Sequence, residues 1–137
     1  MGRFAAILSK RGQNVSRNMV QMLRAGINQA PDVQGVSTGG VAIIKGRIKL
    51  SDLPETPIAL GHSLTKIHPE DPPQPLTQYG YSFSIEGRNL RGTGQSTASS
   101  TGDALGKDPV EGLTRLVTGG KGTFAIIALY NQTLLGA

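Results

Sequence analysis

Residues 1–10, MGRFAAILSK, place an apolar run, Phe4 to Leu8, three positions from the start of the chain. The run is followed by the turn-like SKRGQN of residues 9–14, so it reads as a buried strand. Chain ends usually fray unless something holds them. A first strand that starts this early puts residue 1 at the edge of the core, and the rest of the sequence has to explain why.

Working outward, residues 15–28, VSRNMVQMLRAGIN, have the marks of a helix. Ser16 is the expected cap, with Val15 and Val20 as a hydrophobic staple. Met19, Met22, Leu23 and Ile27 recur at helical spacing and form one apolar face. Pro31 ends the pattern, because the residue before proline avoids the helical region. GVSTGGVAIIKGRIKL, residues 35–50, reads as one or two strands bent at Gly39–Gly40. Alternation in KGRIKL would put Lys45, Arg47 and Lys49 on one solvated edge face. IALGHSLTKI, residues 58–67, is a further strand, and HPEDPPQPLTQ, residues 68–78, a loop too rich in proline for sheet interiors. Tyr79, Tyr81, Phe83 and Ile85 alternate as one face of a half-buried strand.

Residues 88–107 are polar and rich in Gly, Ser and Thr, and read as a long mobile loop. DPVEGLTRLVTGG, residues 108–120, is a helix with Asp108 as cap, Pro109 at its first position, Glu111 three after the cap and Gly119 past its end. Leu113, Leu116 and Val117 are its expected inward face. GTFAIIALY, the turn NQ and TLLGA then form a hairpin. The 137 residues make one domain, an α+β fold with mostly antiparallel sheet.

Composition narrows the chemistry. There is no cysteine, so disulfides, zinc–thiolate sites and thiol catalysis are excluded. No apolar stretch approaches the length of a membrane span, and the N-terminal run is too short for a signal peptide; a cytoplasmic protein is expected. The net charge of +5 admits an anionic partner, but three Tyr, three Phe and no Trp supply base stacking poorly, and nucleic-acid binding is the weaker reading. TGGKGT, residues 118–123, fails as a phosphate loop because Arg115 stands where the first glycine is needed. GHSLT, residues 61–65, ends in Thr65 where a nucleophile elbow needs glycine. His62 and His68, near Glu70 and Asp71, lie along an extended segment without helical ligand spacing, so no metal site is assigned.

Taken in order, these segments resemble the N-terminal glutaminase domain of class II glutamine amidotransferases, especially asparagine synthetases. MGRF fits the family's opening Cys-Gly-x-Phe with Met1 in the Cys place; NQAPD at 28–32 fits its His-Arg-Gly-Pro-Asp; LGHSLTKI and QPL fit its Gly-His-x-Arg-Leu and Gln-Pro. SFSIEGRNLR sits where the family's strand leads into Asn-Gly-Glu, and residues 110–137 follow its helix, Gly-x-Phe-Ala strand and next strand. The resemblance implies an N-terminal-nucleophile-type αββα sandwich with no cofactor. It also accounts for the opening strand, which in that family holds a nucleophilic residue 1 in the active site, its free amine acting as base.

The same resemblance implies lost chemistry. A Met1 thioether is no acyl-transfer nucleophile, and trimming it would expose glycine. The carboxylate-gripping Arg maps to Leu64, with Lys66 the nearby substitute, which lacks the guanidinium fork. The oxyanion-hole Asn maps to Glu86, a carboxylate where negative charge would develop, while Gly87 keeps its backbone N–H. The Asp that binds the substrate amine maps to Asp103. The chain also stops before the family's Arg-Asp segment, so the sandwich is expected to be truncated at its C-terminal side and to need a partner, either another copy or a synthetase or amidotransferase chain. The expectation is an inactive binding or scaffold domain that accepts a glutamine-like ligand. The alternatives are an active glutamine-hydrolysing subunit with a non-standard nucleophile and a basic nucleic-acid-binding module.

Overall fold

In the computed structural model, residues 2–25, 33–42, 46–64, 72–89, 97–119 and 122–137 are described. The opening stretch is a strand, β1 (Gly2–Leu8), and it is held along its whole length. It pairs antiparallel with β3 (Ile58–Leu64), from Gly2 opposite Leu64 to Leu8 opposite Ile58. The other edge of β3 takes β2 (Val33–Ser37), also antiparallel, giving the order β1-β3-β2.

α1 (Ser16–Arg24) covers one face of this sheet with Met19, Val20 and Leu23, which are buried with Val15, Val36, Ile48 and Ala59. The close approach depends on Gly61, where an added Cβ would lie 2.5 Å from the Met19 sulfur. Ser16 is not the cap. It is the first helical residue, its N–H donates to Asn14 Oδ1 at 3.0 Å, and its hydroxyl donates to the Pro54 carbonyl at 2.5 Å. The Asn14 side chain, which also accepts from Thr56 N–H at 3.1 Å, takes over the capping role.

The strands expected over 35–50 stop at Ser37. Gly40 and Gly46 take φ of +82° and +110°, and among the described residues only the single bridges Ser37–Ala42 and Gln34–Gly46 follow. Ile48 N–H is taken by the buried Gln34 Oε1 at 3.0 Å and Lys49 N–H by Asp52 Oδ2 at 2.8 Å. With those amides committed to side chains, no strand face carrying Arg47 and Lys49 forms, and a short 3-10 turn covers Leu50–Asp52. Lys45 lies outside the described residues.

A second antiparallel sheet has the order β4-β5-β6-β7: β4 (Leu76–Gln78), β5 (Tyr81–Asn89), β6 (Gly122–Tyr130) and β7 (Thr133–Gly136). β4 lies at the end of the proline-rich segment, where an edge position tolerates Pro75. Gln74 prolongs the edge by accepting Ile85 N–H on its side-chain oxygen at 2.8 Å. Tyr79 is not on the strand: with φ +47° it forms the turn into β5 and is exposed. β5 is buried on both faces rather than one, since Ser82 and Ser84 are as inaccessible as Tyr81 and Phe83. The β6–β7 loop, Asn131–Gln132, has φ of +49° and +60°, the two positive values of a tight hairpin turn.

Part of the expected mobile loop is a helix, α2 (Thr97–Leu105). Ala98 and Leu105 bury against the Tyr81–Phe83–Ile85 face of β5, a tertiary gain that outweighs the poor helix propensity of Ser, Thr and Gly. Residues 90–96 lie outside the described residues. α3 (Pro109–Gly119) begins as expected, with Asp108 Oδ1 accepting Val110 N–H and Glu111 N–H at 3.0 and 3.2 Å. Its buried stripe is Pro109, Gly112, Leu113 and Leu116. Val117 lies about 80° round the helix from Pro109 and is 60% exposed, so it is not on the inward face. Gly119 is the last helical residue rather than the one after.

The sheets face each other through Ile58, Leu60 and Leu129, joined by Ala6, Ile127 and Leu134. A hydroxyl pair, Ser37 and Ser82 at 2.6 Å, bridges them. α1 therefore packs on one sheet, α2 and α3 on the other, and Ile58, Leu60 and His62 of β3 look inward toward Ser82, Ser84 and Glu86 of β5.

Candidate functional site

The alternation of β3 sends Ile58, Leu60 and then His62 into the layer between the sheets. His62 is fully buried, tilted against Phe4 of β1 with ring centroids 6.4 Å apart. On the facing strand, the alternation of β5 sends Ser82, Ser84 and then Glu86 inward. Glu86 meets His62 there, its Oε1 2.8 Å from Nε2. The contact is short but off the direction of the ring N–H, so neither imidazole nitrogen makes a directed hydrogen bond among the described residues. Ser84 Oγ, on the same inward face, is likewise buried without a hydrogen-bond partner among them. Glu86 is 26% exposed at its side chain, so the pair runs from the sealed interior toward one end of the sandwich.

That end is also where β1 begins. Leu64, two residues beyond His62, pairs through its backbone with Gly2 on one side and Val33 on the other. Gly87 follows Glu86 with φ +115°, and an added Cβ would overlap the Thr123 carbonyl oxygen and lie 2.7 Å from Phe124 Cα. Of the residues singled out from sequence, Leu64, Glu86 and Gly87 thus gather at one end of the intersheet layer. Met1 and Lys66 lie outside the described residues.

Asp103 does not join them. It is exposed on α2, whose buried face rests on the Tyr81–Phe83–Ile85 side of β5, whereas Glu86 points to the opposite side. The four-stranded sheet stands between the two carboxylates.

His62 is the residue that sequence reasoning undervalued. Beside His68 it lacks ligand spacing, but the period-2 pattern Ile58, Leu60, His62 puts it on the buried face of its strand. Chemically, the arrangement is a partly buried carboxylate held against a sealed imidazole. A buried charge needs a partner, and each group supplies one for the other when His62 is protonated. An ionised Glu86 accepts hydrogen bonds and repels nearby negative charge; it donates none. Among the described residues no three His, Cys, Asp or Glu side chains group as a metal site. No helix among them is long and apolar enough to cross a membrane.

No protein-family model matches the chain, and comparison with curated proteins gives no match. Among solved structures, the chain is similar to glutamine phosphoribosylpyrophosphate (PRPP) amidotransferase from B. subtilis, solved with ADP and GMP. The TM-score is 0.74 at 16% sequence identity, over 100% of this chain and 37% of that one. The chain therefore spans little more than a third of the length of that protein. At this identity the likeness speaks for the fold alone: the chain shares its α+β arrangement of antiparallel sheets with part of that protein.

Proposed function

We propose that the chain is a class II glutamine-amidotransferase-like domain, close to the glutaminase domain of asparagine synthetases, that does not hydrolyse glutamine and serves as a binding or scaffold subunit. Its layer order would then be the αββα sandwich of that fold. The observation that carries this reading is Glu86. The resemblance puts this residue where the family's oxyanion-stabilising Asn belongs, and its carboxylate lies 2.8 Å from a buried imidazole. Glutamine hydrolysis develops negative charge on the scissile oxygen, and a site that holds a carboxylate there raises the barrier instead of lowering it. Loss of a single oxyanion-hole donor already costs about 100-fold or more in rate, and a reversed charge costs further. Met in the family's Cys position removes the nucleophile as well.

A glutamine-like ligand would meet Gly87 N–H at the end of the intersheet layer, and the resemblance offers Lys66, outside the described residues, as the substitute for the family's Arg, whose place Leu64 takes. The deciding experiment is ammonia release from L-glutamine by protein whose N-terminal residue is fixed by intact mass, with a glutamine thermal-shift titration alongside. The expected result is no release above a heat-killed control. Release at a rate proportional to enzyme would overturn the inactive reading. A saturable shift in melting temperature without release would identify a retained ligand pocket, and its absence would leave the scaffold role alone.

A further inference from the structure

The apolar run of the first strand is nowhere sealed. Phe4, Ala5, Ala6 and Ile7 are only half-buried and Leu8 is 46% exposed, whereas Ile58, Ala59 and Leu60 on the paired strand β3 are fully buried. β1 is the terminal strand of its sheet, and among the described residues it has a ladder partner on one side only. Which of its backbone groups are left over follows from one bond. Ser9 N–H donates to the Pro57 carbonyl at 2.7 Å, one step beyond the pair Leu8–Ile58. Antiparallel alternation then turns the N–H and C=O of Arg3, Ala5 and Ile7 to β3, and those of Phe4, Ala6 and Leu8 to the open edge. That edge is seven residues long, with no proline to blunt it.

The flank of α1 above this edge is neutral. Ile7, Asn18, Gln21, Met22 and Ala25 line an open groove of about 350 Å³, and none of them carries a charge. Arg17 and Arg24 lie about 140° and 160° round the helix from Met22, on the flank turned away from the groove. Met22 is half exposed, and it also lines a smaller cavity of about 30 Å³ with Arg3, Phe4 and Ala5. It therefore sits over the middle of β1, near Ala5. Asn18, Met22 and Ala25 follow at i, i+4 and i+7 and make a stripe along the groove.

We propose that a second copy of this chain occupies the edge. The two β1 strands pair antiparallel about a two-fold axis at Ala5, and two three-stranded sheets become one. In that register Phe4 of one copy bonds with Ala6 of the other, and Leu8 with Gly2, which uses the free groups of the edge. The axis stands perpendicular to the sheet, so both α1 helices lie on the same face. α1 covers β1 and β3 together, which puts its axis about half a strand spacing inside β1. The seam lies half a spacing outside. With strands about 4.8 Å apart, the two helix axes come about 10 Å apart, the distance at which helices pack. Met22 then meets Met22 of the other copy, and Asn18 meets Ala25. A two-fold contact needs a surface that suits itself. This one does: its apolar groups and the amides of Asn18 and Gln21, each donor and acceptor at once, oppose no like charge. A lone extended segment would cover the strand but bring no second helix to the flank of α1. The strand edge and one helix flank bury on the order of 1,000 Å² over both copies, the least that a specific interface needs, so a micromolar dimer is expected. His62 and Glu86 take no part, and the seam stands whether or not glutamine is hydrolysed.

The experiment is sedimentation equilibrium of the intact chain from about 1 to about 500 μM. A monomer–dimer equilibrium is expected within that range. Met22→Glu, at an exposed helical position, sets two carboxylates against each other across the axis. It is expected to weaken the dimer at least about tenfold with unchanged circular dichroism. The same change lowers the net positive charge, so a general repulsion between copies would ease and the dimer would tighten instead. Arg17→Gln, on the far flank, is expected to alter the dissociation constant by less than about threefold. The chain has no cysteine, so single-cysteine variants report the seam directly. Ala5→Cys meets itself at a Cα separation of about 4.5 Å, within disulfide range. It is expected to oxidise to a covalent dimer at least about tenfold faster than Val110→Cys, which is exposed on α3. A chain that stays monomeric to about 500 μM would overturn the proposal. So would a dimer that Met22→Glu leaves intact, or Ala5→Cys oxidising no faster than Val110→Cys.

Discussion

Glu86 and Gly87 are neighbours on one strand and are fixed by different forces. Glu86 is placed by chemistry, because an inward carboxylate must meet a polar partner and His62 is there at 2.8 Å. Gly87 is placed by backbone geometry: φ +115° is a conformation that residues with a Cβ rarely adopt, and Thr123 and Phe124 of β6 leave no room for one. Gly87→Ala is therefore expected to destabilise the fold by at least about 2 kcal/mol through strain and overlap together, read as a lower urea midpoint. Gly39→Ala is the control, since an added Cβ there meets nothing within 4 Å, and it should move the midpoint by less than about 0.5 kcal/mol. Equal effects at the two sites would show that β6 yields to Gly87. The sequence carried Gly87 as a retained backbone donor, but its steric necessity comes from β6, some 35 residues away, and no local pattern announces it.

At the scale of elements, what was legible followed periodicity and capping, and what was not followed tertiary rescue. β1, α1, β3 and α3 stand out in the sequence because their apolar spacing and end signals agree. α2 does not, because TASSTGDAL has little helical preference and forms only where it can lie on β5. One polar knot fastens it. Tyr81 donates its phenol hydrogen to the Gly106 carbonyl at 2.6 Å, and the Gln78 side-chain amide donates to the phenol oxygen at 2.6 Å and to the Gly102 carbonyl at 2.7 Å. Burial pushes the Tyr81 phenol above its ordinary 10.0, while the Gln78 bond pulls it back in part. A raised pKa means that the folded state favours the neutral phenol. This stabilisation is complete below the unfolded value, near 10, and is lost as pH rises through the folded value. Tyr81→Phe should cost about 1–2 kcal/mol at pH 8, for the lost hydrogen bonds, and the gap to the natural protein should narrow at pH 11. A gap that stays constant between those pH values would show that the phenol ionises no less readily in the folded protein.

At the scale of the molecule, the α+β class and the antiparallel sheets could be read from the chain, but the face each sheet turns to the other could not. Strand alternation says that Ile58, Leu60 and His62 share a side; it does not say that Leu129, about 70 residues later, lies across from them. That pairing is what makes one body of two sheets. It uses three fully buried aliphatic side chains, the Ser37–Ser82 hydroxyl pair and the His62–Glu86 contact. The apolar part should dominate, because hydroxyl pairs return little net free energy once water is accounted for. Leu129→Ala is expected to cost about 3 kcal/mol, as buried leucine truncations do. Replacing Ser37 and Ser82 together by Ala should cost under about 1 kcal/mol, and either single replacement more than the pair, since it strands one buried hydroxyl. Urea unfolding of the four variants separates these terms. A double serine variant that falls further than Leu129→Ala would mean that the sheets are held by the polar bridge, with the leucine merely filling the space beside it.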